Sequence, residues 1–273
     1  MQRKLASVAA FLGVFVLAIT TPRSVAQQQE SRLNPSEEPI TTAAPSKVAD
    51  ATALPGAKEL MAQSDDAAGG LDAWSKATSR KMKGLYQSED ASVFVAVEIL
   101  QKAPNKSLSK VSLPNGLVLR EVCDGHSAWI ENSVGQYQEI TGAALASRLR
   151  IADLQDRAKL EQLAAAGKVT GIQKIGSHSA YVLEFPSDKK LISRLYIDTE
   201  SKLVIRTEDI STTPEGPYLL RIDLDDYRDV DGLKFPFRMK RTEKGSIVNI
   251  RLTQVVINAP LDDTVFLKPD FAK

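Results

Sequence analysis

Hydrophobic and polar residues alternate in short runs along most of the chain from residue 79 onward. The segments between these runs are too short for the crossover connections that parallel strands need. The pattern therefore predicts about a dozen antiparallel strands joined as a meander. The predicted strands are residues 79–87, 92–102, 106–112, 117–123, 127–131, 136–140, 168–175, 178–185, 190–197, 203–211, 217–229, 233–243 and 246–257.

Helical periodicity occurs at the front of the folded region and in its middle. Residues 57–67 and 71–77 each place apolar side chains on one face, which predicts two short helices. An insert at about 142–166 contains a stretch, 147–166, whose apolar residues recur at about a 3.6-residue period and predict a helix. The apolar positions of that helix are Leu149, Ile151, Leu154, Ala158, Leu160 and Leu163.

Several predicted strands are apolar on both faces, and residues 92–102 show this most clearly. An apolar sheet face needs a covering layer, and a strongly twisted sheet of more than about ten strands tends to curl. The predicted fold class is therefore α+β: a large curved antiparallel sheet, an incomplete β-barrel of about 10–12 strands, lidded by a few helices. A curled and lidded sheet encloses a concave apolar pocket.

The first 26 residues have the three parts of a secretory signal peptide. Arg3 and Lys4 give a positive start, residues 5–20 form an uncharged apolar run, and small residues precede a cleavage site after Ala26. An uncleaved membrane anchor is the alternative, and it is disfavoured because the run is shorter than the roughly 20 residues that span a bilayer. We therefore expect export to the periplasm, with an extracellular location as the other outcome.

Residues 27–55 contain four prolines, no aromatic residue and no apolar periodicity. Such a segment cannot bury enough apolar area to offset the entropy lost on ordering, so we interpret it as a disordered tether. Residues 56–273 then form one folded domain, with a length typical of a single β-rich domain.

Charge and cysteine content restrict the classes of partner. Loss of residues 1–26 removes Arg3, Lys4 and Arg23 with no acid, and changes the formal net charge from +1 to −2. This near-neutral balance gives no reason to expect nucleic acid or an anionic membrane surface as the main partner. The single cysteine, Cys123, excludes an internal disulfide and is typical of a small buried apolar residue.

No motif of catalytic or metal-binding chemistry stands out in the sequence. His126 and His178 are the two histidines; both lie at predicted turns, and neither has a partner at metal-ligand spacing. Nucleophile-elbow and phosphate-loop motifs are absent. An acidic cluster of Asp223, Asp225, Asp226 and Asp229 alternates with apolar residues and lacks a glycine-centred calcium loop. We therefore expect a protein that is not an enzyme and that uses no cofactor and no metal.

Five motifs in chain order resemble those of the outer-membrane lipoprotein-sorting group, the family of the lipoprotein-localisation carriers. Each motif consists mainly of residues typical of turns and is weak alone. The occurrence of all five in this order over residues 57–269 is specific for the family. The motifs are Ala68-Gly69-Gly70 with Leu71-Asp72-Ala73-Trp74, Lys102-Ala103-Pro104-Asn105-Lys106, Cys123-Asp124-Gly125-His126-Ser127-Ala128-Trp129, YRDVDGLKFP from Tyr227 and NAPLDDTVF from Asn258.

The resemblance implies an incomplete antiparallel β-barrel with an apolar interior that takes lipids or lipoproteins across the periplasm. Our leading hypothesis is a non-enzymatic carrier or sensor of lipid or lipoprotein acyl chains. Burial of an acyl chain yields about 0.8 kcal/mol per CH₂, so affinity needs no polar contact. The apolar strand residues predicted to line the cavity are Phe94, Trp129, Leu195, Leu220, Phe237, Met239 and Ile250.

The alternative hypothesis is a structural or regulatory protein-interaction module of the cell envelope. The tether at 27–55 motivates this hypothesis, because a polar extension can hold the domain near a membrane-protein partner. Trp129 and Trp74 are large aromatic anchors that suit the core under either hypothesis.

Overall fold

The computed structural model describes residues 54–89, 93–154, 164–185, 193–213 and 216–268. The predicted signal peptide and nearly all of the predicted tether lie outside these ranges. The helices are α1 (Ala57–Ala67), α2 (Leu71–Ser75) and α3 (Gly142–Ile151), and a 3-10 helix spans Asp263–Phe266. Among the described residues no helix has both the length and the apolar character needed to cross a bilayer.

The strands closely follow the predicted runs. They are β1 (Ser79–Ser88), β2 (Val95–Lys102), β3 (Lys106–Ser112), β4 (Val118–Cys123), β5 (Ala128–Asn132), β6 (Tyr137–Ile140), β7 (Lys168–Ile175), β8 (His178–Phe185), β9 (Ser193–Asp198), β10 (Val204–Thr213), β11 (Gly216–Val230), β12 (Leu233–Glu243) and β13 (Ser246–Ile257).

The described strands form one sheet in the order β6-β5-β4-β3-β2-β1-β13-β12-β11-β10-β9-β8-β7. Neighbouring strands are antiparallel throughout. Because β6 and β7 stand at opposite ends of this order and do not pair, the sheet is not closed into a barrel. The predicted α+β class is confirmed, with thirteen described strands where ten to twelve were expected.

Two tight turns fix the register of the three longest strands. Asp231 and Gly232 connect β11 to β12 with φ of 53° and 83°, and Lys244 and Gly245 connect β12 to β13 with φ of 45° and 74°. Positive φ at both central residues is the hairpin geometry whose twist matches that of the flanking strands. Both turns occur where the sequence predicted them.

The helix predicted over 147–166 is wrong in its extent. α3 begins earlier, at Gly142, and ends at Ile151, and residues 155–163 lie outside the described ranges. The terminal carbonyl oxygen of Ile151 accepts from the Gln101 side-chain amide at 3.3 Å. Ala152 then turns inward and is fully buried.

The sheet is curved strongly enough to bring distant strands together. Along the sheet, β4 and β12 are five steps apart, which corresponds to about 24 Å in a flat sheet. Burial raises the pKa of Glu121 on β4, and the positive charges of Arg148 and then Arg241 on β12 oppose that rise. The effect of Arg241 on Glu121 agrees with a curved sheet whose concave face carries both residues.

The concave face carries the main apolar core. This core joins side chains of α1 and α2 to inward-facing residues of most strands, including Ile99, Leu183 and Phe235. The opposite, outer face has its own smaller cluster at one end, where Trp129 and its cross-strand neighbours pack under Phe266 of the 3-10 helix. That outer cluster consists of Leu100, Leu108, Val122, Trp129 and Phe266.

The turn between α1 and α2 is fixed against the β11–β12 hairpin. The amide of Lys234 donates to the carbonyl oxygen of Ala68 at 3.1 Å, and the Trp74 indole donates to the same carbonyl at 3.1 Å. The Trp74 ring lies 5.0 Å from the Phe235 ring, centroid to centroid. Gly69, with φ of 111°, allows this approach, because a Cβ there would lie 2.4 Å from the carbonyl oxygen of Gly232.

We expect Gly69→Ala to lower the free energy of unfolding by at least about 2 kcal/mol, through positive-φ strain and displacement of the hairpin. Urea denaturation of the full chain measures this change. Gly56→Ala is the matched control, because Gly56 has a φ of −65° and open space around its Cβ position. Equal unfolding free energies for the two variants would contradict the assigned role of Gly69.

Candidate functional site

The candidate site is the part of the concave face that α3 covers. Here the inner face of β4 and β5 presents two small buried residues, Cys123 and Ala128, which pack with Ala152. Leu145 and Leu149 of α3 pack against this cluster and remain only partly buried. Small residues on the sheet and half-buried leucines on the helix give α3 a limited apolar contact with the sheet.

A buried ion pair joins α3 to the sheet. Arg148 of α3 places its Nε 2.6 Å from an Oε of Glu121 on β4. The Glu121 side chain is only 3% exposed, whereas that of Arg148 is 28% exposed. The pKa of Glu121 is raised because burial outweighs the attraction of Arg148 and Arg241. The ionised carboxylate is therefore less stable beneath α3 than in water, although Arg148 recovers part of the cost.

A second polar contact reaches the end of α3 from β1. Arg80 is 5% exposed and donates through Nε to the Gln101 side-chain oxygen at 2.9 Å, with a further contact from its Nη2. The Gln101 amide in turn donates to the Ile151 carbonyl. Burial lowers the pKa of Arg80 to about 10, so the guanidinium is still charged at neutral pH. Arg80 also lies over the Phe235 ring, 5.4 Å from its centroid.

The two helical covers are thus attached differently. The α1–α2 unit places fully buried Leu60 and Met61 into the main core and forms a backbone hydrogen bond with the β11–β12 hairpin. Among its described side chains, α3 contacts the sheet through half-buried leucines and the Arg148–Glu121 pair, and its last carbonyl accepts from the Gln101 amide. Displacement of α3 would return the Glu121 charge to water, and this gain in hydration offsets part of the free energy with which α3 packs on the sheet. The leucines of α3 are thus less buried than Leu60 and Met61 of the α1–α2 unit.

The structure separates the residues predicted to line the cavity. Leu195, Phe237, Met239 and Ile250 are buried together in the main core, and Leu220 packs partly buried against it. Trp129 is fully buried in the outer-face cluster instead. Phe94 is 50% exposed, just before β2. Lining of a cavity by these seven residues stays a prediction.

The acidic residues weighed as a metal site are engaged in ion pairs. Asp223 pairs with Arg206 of β10, and Asp225 lies 3.0 Å from Arg238 of β12. Asp226 pairs with Arg228 at 2.7 Å and Asp229 with Lys234 at 3.2 Å. Within the described ranges, no group of three or more His, Cys, Asp or Glu residues is arranged to hold a metal ion.

The histidines lie apart from the covered face. His178 begins β8, and its Nδ1 is 3.1 Å from a carboxylate oxygen of Asp198 while its side chain stays mostly exposed. His126 lies in the β4–β5 turn, where its backbone amide donates to the Asp124 side chain at 2.8 Å. Both positions agree with solvated turn residues.

The polar residues under α3 are the functional candidates that sequence reasoning missed. Arg80 shares the inward face of β1 with buried Met82, and Glu121 shares the inward face of β4 with Cys123. In each strand a charged residue occupies a position that the period-two alternation assigns to the apolar face. This position was the feature of the sequence that indicated a buried ionic contact. Its partner Arg148 lies on a separate element, so the pairing itself could not be inferred from the strand pattern.

Solved structures with this architecture come from several bacteria. A DUF1329 family protein from Desulfovibrio piger is 12% identical and has a TM-score of 0.54, with 78% of this chain and 98% of that chain covered. A LolA superfamily protein from Nitrosomonas europaea is 14% identical, with a TM-score of 0.50 and coverages of 79% and 99%. A domain described as an outer membrane lipoprotein-sorting protein from Vibrio parahaemolyticus is 11% identical, with a TM-score of 0.52 and coverages of 77% and 95%.

These likenesses concern the fold. The chain has a LolA-like fold, in agreement with the family resemblance seen in its motifs. No family model matches the sequence, and no curated protein is similar enough in sequence to count as a relative.

We expect Arg148→Gln to loosen α3, because it leaves the buried Glu121 carboxylate without its nearest counter-charge. Cys123 is the only cysteine of the chain and lies buried beneath α3, so its labelling by dithiodipyridine reports α3 displacement. Labelling should be at least about tenfold faster in Arg148→Gln. Rates are normalised to those of the denatured chain at the same pH, since burial also raises the pKa of the thiol.

The sign of the pH dependence follows from the raised pKa of Glu121. A carboxyl whose pKa is raised on burial favours the docked state most at pH values below its ordinary pKa, and this contribution is lost as pH rises through the raised value. Acidification should therefore slow normalised labelling of Arg148→Gln, and Glu121→Gln/Arg148→Gln should label more slowly than Arg148→Gln at neutral pH.

Arg194→Gln, which breaks an outer-face ion pair with Glu184, is the control and should match the parent chain. A parental rate in Arg148→Gln would refute the role of the pair.

Proposed function

We propose that this protein is a non-enzymatic carrier or sensor of lipid or lipoprotein acyl chains in the bacterial cell envelope. The observation that carries this proposal is an open antiparallel sheet whose concave face is apolar and whose cover, α3, is held by limited contacts. An apolar face that can be exposed reversibly suits a ligand without polar recognition groups.

The energy of acyl burial is sufficient for this role. At about 0.8 kcal/mol per CH₂, a sixteen-carbon chain contributes roughly 12 kcal/mol before the cost of binding is subtracted. Displacing α3 forfeits the partial burial of Leu145 and Leu149 and the pairing of Arg148 with Glu121. Together these interactions amount to a few kilocalories per mole by the same area argument. Acyl binding therefore exceeds the cost of displacement.

Entry of the acyl chain is proposed between α3 and the sheet. The inward-facing side chains already pack against one another, so the ligand takes the place of α3 rather than filling a preformed space. Leu195 and Met239 belong to the main core, which is separate from the cluster under α3, and would be contacted only by a long chain. The two residues that frame the entry are Cys123 and Ala128, because both are small and lie under α3.

The envelope location rests on the sequence of the first 26 residues and on the LolA-like fold. We expect the exported chain to begin at Gln27 after cleavage behind Ala26. Intact-mass measurement of the protein recovered from the periplasmic fraction of a Gram-negative host tests this expectation. Recovery of the chain with residues 1–26 attached would indicate a retained anchor instead.

Acyl binding itself can be tested by locking α3. Leu149 packs against the cluster that contains Cys123, so Leu149→Cys places two thiols in one apolar cluster. The probe is cis-parinaric acid, whose fluorescence rises in an apolar site. We expect saturable binding by the parent chain and by reduced Leu149→Cys, and binding at least about tenfold weaker when the variant is oxidised to the disulfide.

Free-thiol titration verifies that the disulfide has formed, and the parent chain treated with the same oxidant is the control. Undiminished binding by the cross-linked variant would show that the ligand does not enter beneath α3. Failure of the parent chain to bind either parinaric acid or palmitate would contradict the carrier function as a whole.

A further inference from the structure

A cleft of about 420 Å³ lies on the outer face of the sheet, where β11, β12 and β13 meet β1. Arg238 and Lys240 of β12 point into it because they alternate with inward-facing Met239. Arg251 of β13 and the half-exposed Phe94 complete its walls. The cleft is therefore separated by the thickness of the sheet from the face that α3 covers.

Two arginines stand directly opposite each other in this cleft. Arg238 and Arg251 are cross-strand partners on β12 and β13, and both are exposed on the same face. Like charges in directly opposed positions destabilise an antiparallel pair. The nearest acid, Asp225, lies 3.0 Å from Arg238 on the side away from Arg251. The arrangement thus holds two positive charges together at a cost in stability.

The charged residues that line the cleft are three cations, Arg238, Lys240 and Arg251, and two carboxylates, Asp223 and Asp225. Asp223 pairs with Arg206 and lies opposite Lys240, whereas Asp225 pairs with Arg238. Arg251 lies opposite Arg238 rather than opposite an acid. The cleft consequently has an excess of positive charge that an anionic ligand would neutralise.

The remaining wall is apolar. Phe94, which lines the cleft, is 50% exposed and so offers an apolar surface to a ligand. An aromatic side chain beside these cations complements a ligand that has carboxylates next to an apolar group.

We infer that this cleft binds an acidic peptide segment, with its carboxylates on Lys240 and Arg251 and an apolar side chain on Phe94. A peptide fits better than an anionic membrane surface because the positive charges lie within a concave cleft, which a single extended segment can enter and a flat bilayer surface cannot. The inference is independent of the acyl-binding proposal, because the two sites are on opposite faces of the sheet.

Fluorescence anisotropy with a fluorescein-labelled peptide, GEEFLEEG, tests the inference on the full chain. We expect saturable binding that weakens as ionic strength rises. The peptide GKKFLKKG, with the same apolar centre and opposite charge, should not bind. Lys240→Gln/Arg251→Gln should bind the acidic peptide about tenfold more weakly, since the variant cannot form two exposed ion pairs with it. Phe94→Ala should also weaken binding.

The matched control is Lys168→Gln/Lys174→Gln, which removes two exposed lysines from β7 and should leave affinity unchanged. Arg251→Gln should melt at or above the parent temperature, because it relieves the opposed arginines; a lower melting temperature contradicts the like-charge argument. Equal peptide affinity in Lys240→Gln/Arg251→Gln, or no peptide binding by the parent chain, overturns the inference.

Two further arms separate the classes of ligand. Vesicles of phosphatidylglycerol, compared with vesicles of phosphatidylcholine, should not compete for the peptide; capture of the chain by phosphatidylglycerol with loss of peptide binding would overturn the peptide assignment. Parinaric acid binding by Lys240→Gln/Arg251→Gln should stay at the parent level, so failure at the cleft is distinguishable from failure of acyl binding.

Discussion

The structure depends on covering the apolar concave face of a sheet that does not close on itself. A closed barrel would bury that face through its own strands, but here β6 and β7 stand at opposite ends of the sheet. The helices in the described part of the chain are short: α3 has ten residues and α2 has five. Such helices cannot provide a thick second layer, so the inward-facing strand residues must pack largely against each other across the curve.

The two covers pack on different residues of the fold. Gly69 lets the α1–α2 turn approach the hairpin closely enough for the Lys234 amide to donate to the Ala68 carbonyl. The sheet under α3 instead presents Cys123, Ala128 and a buried carboxylate. Burial of Glu121 opposes docking of α3, and Arg148 supports it. Under the proposed function, α3 is the cover that moves when an acyl chain enters.

Period-two alternation and turn residues were enough to predict the strands, the Asp231-Gly232 turn and the open curved sheet from the sequence. Those features depend on neighbours along the chain. The end of α3 at Ile151 was not predicted, because the apolar periodicity of the insert continues past that residue to Leu154 and Ala158. Trp129 was chosen for the cavity because it is large and apolar, yet register places it on the outer face with Val122. A face assignment requires cross-strand pairing, and a single strand does not contain that information.

The longest strands contribute residues to both faces of the sheet. On β12, Phe237 and Met239 point into the main core, while Arg238 and Lys240 point into the outer cleft. Strand geometry thus separates an apolar site from a charged one by a single residue step. Any change in the curvature of β12 would alter the packing of Met239 and the spacing of Arg238 and Arg251 at once. The two faces are therefore chemically independent in what they bind, but they share the backbone that positions them.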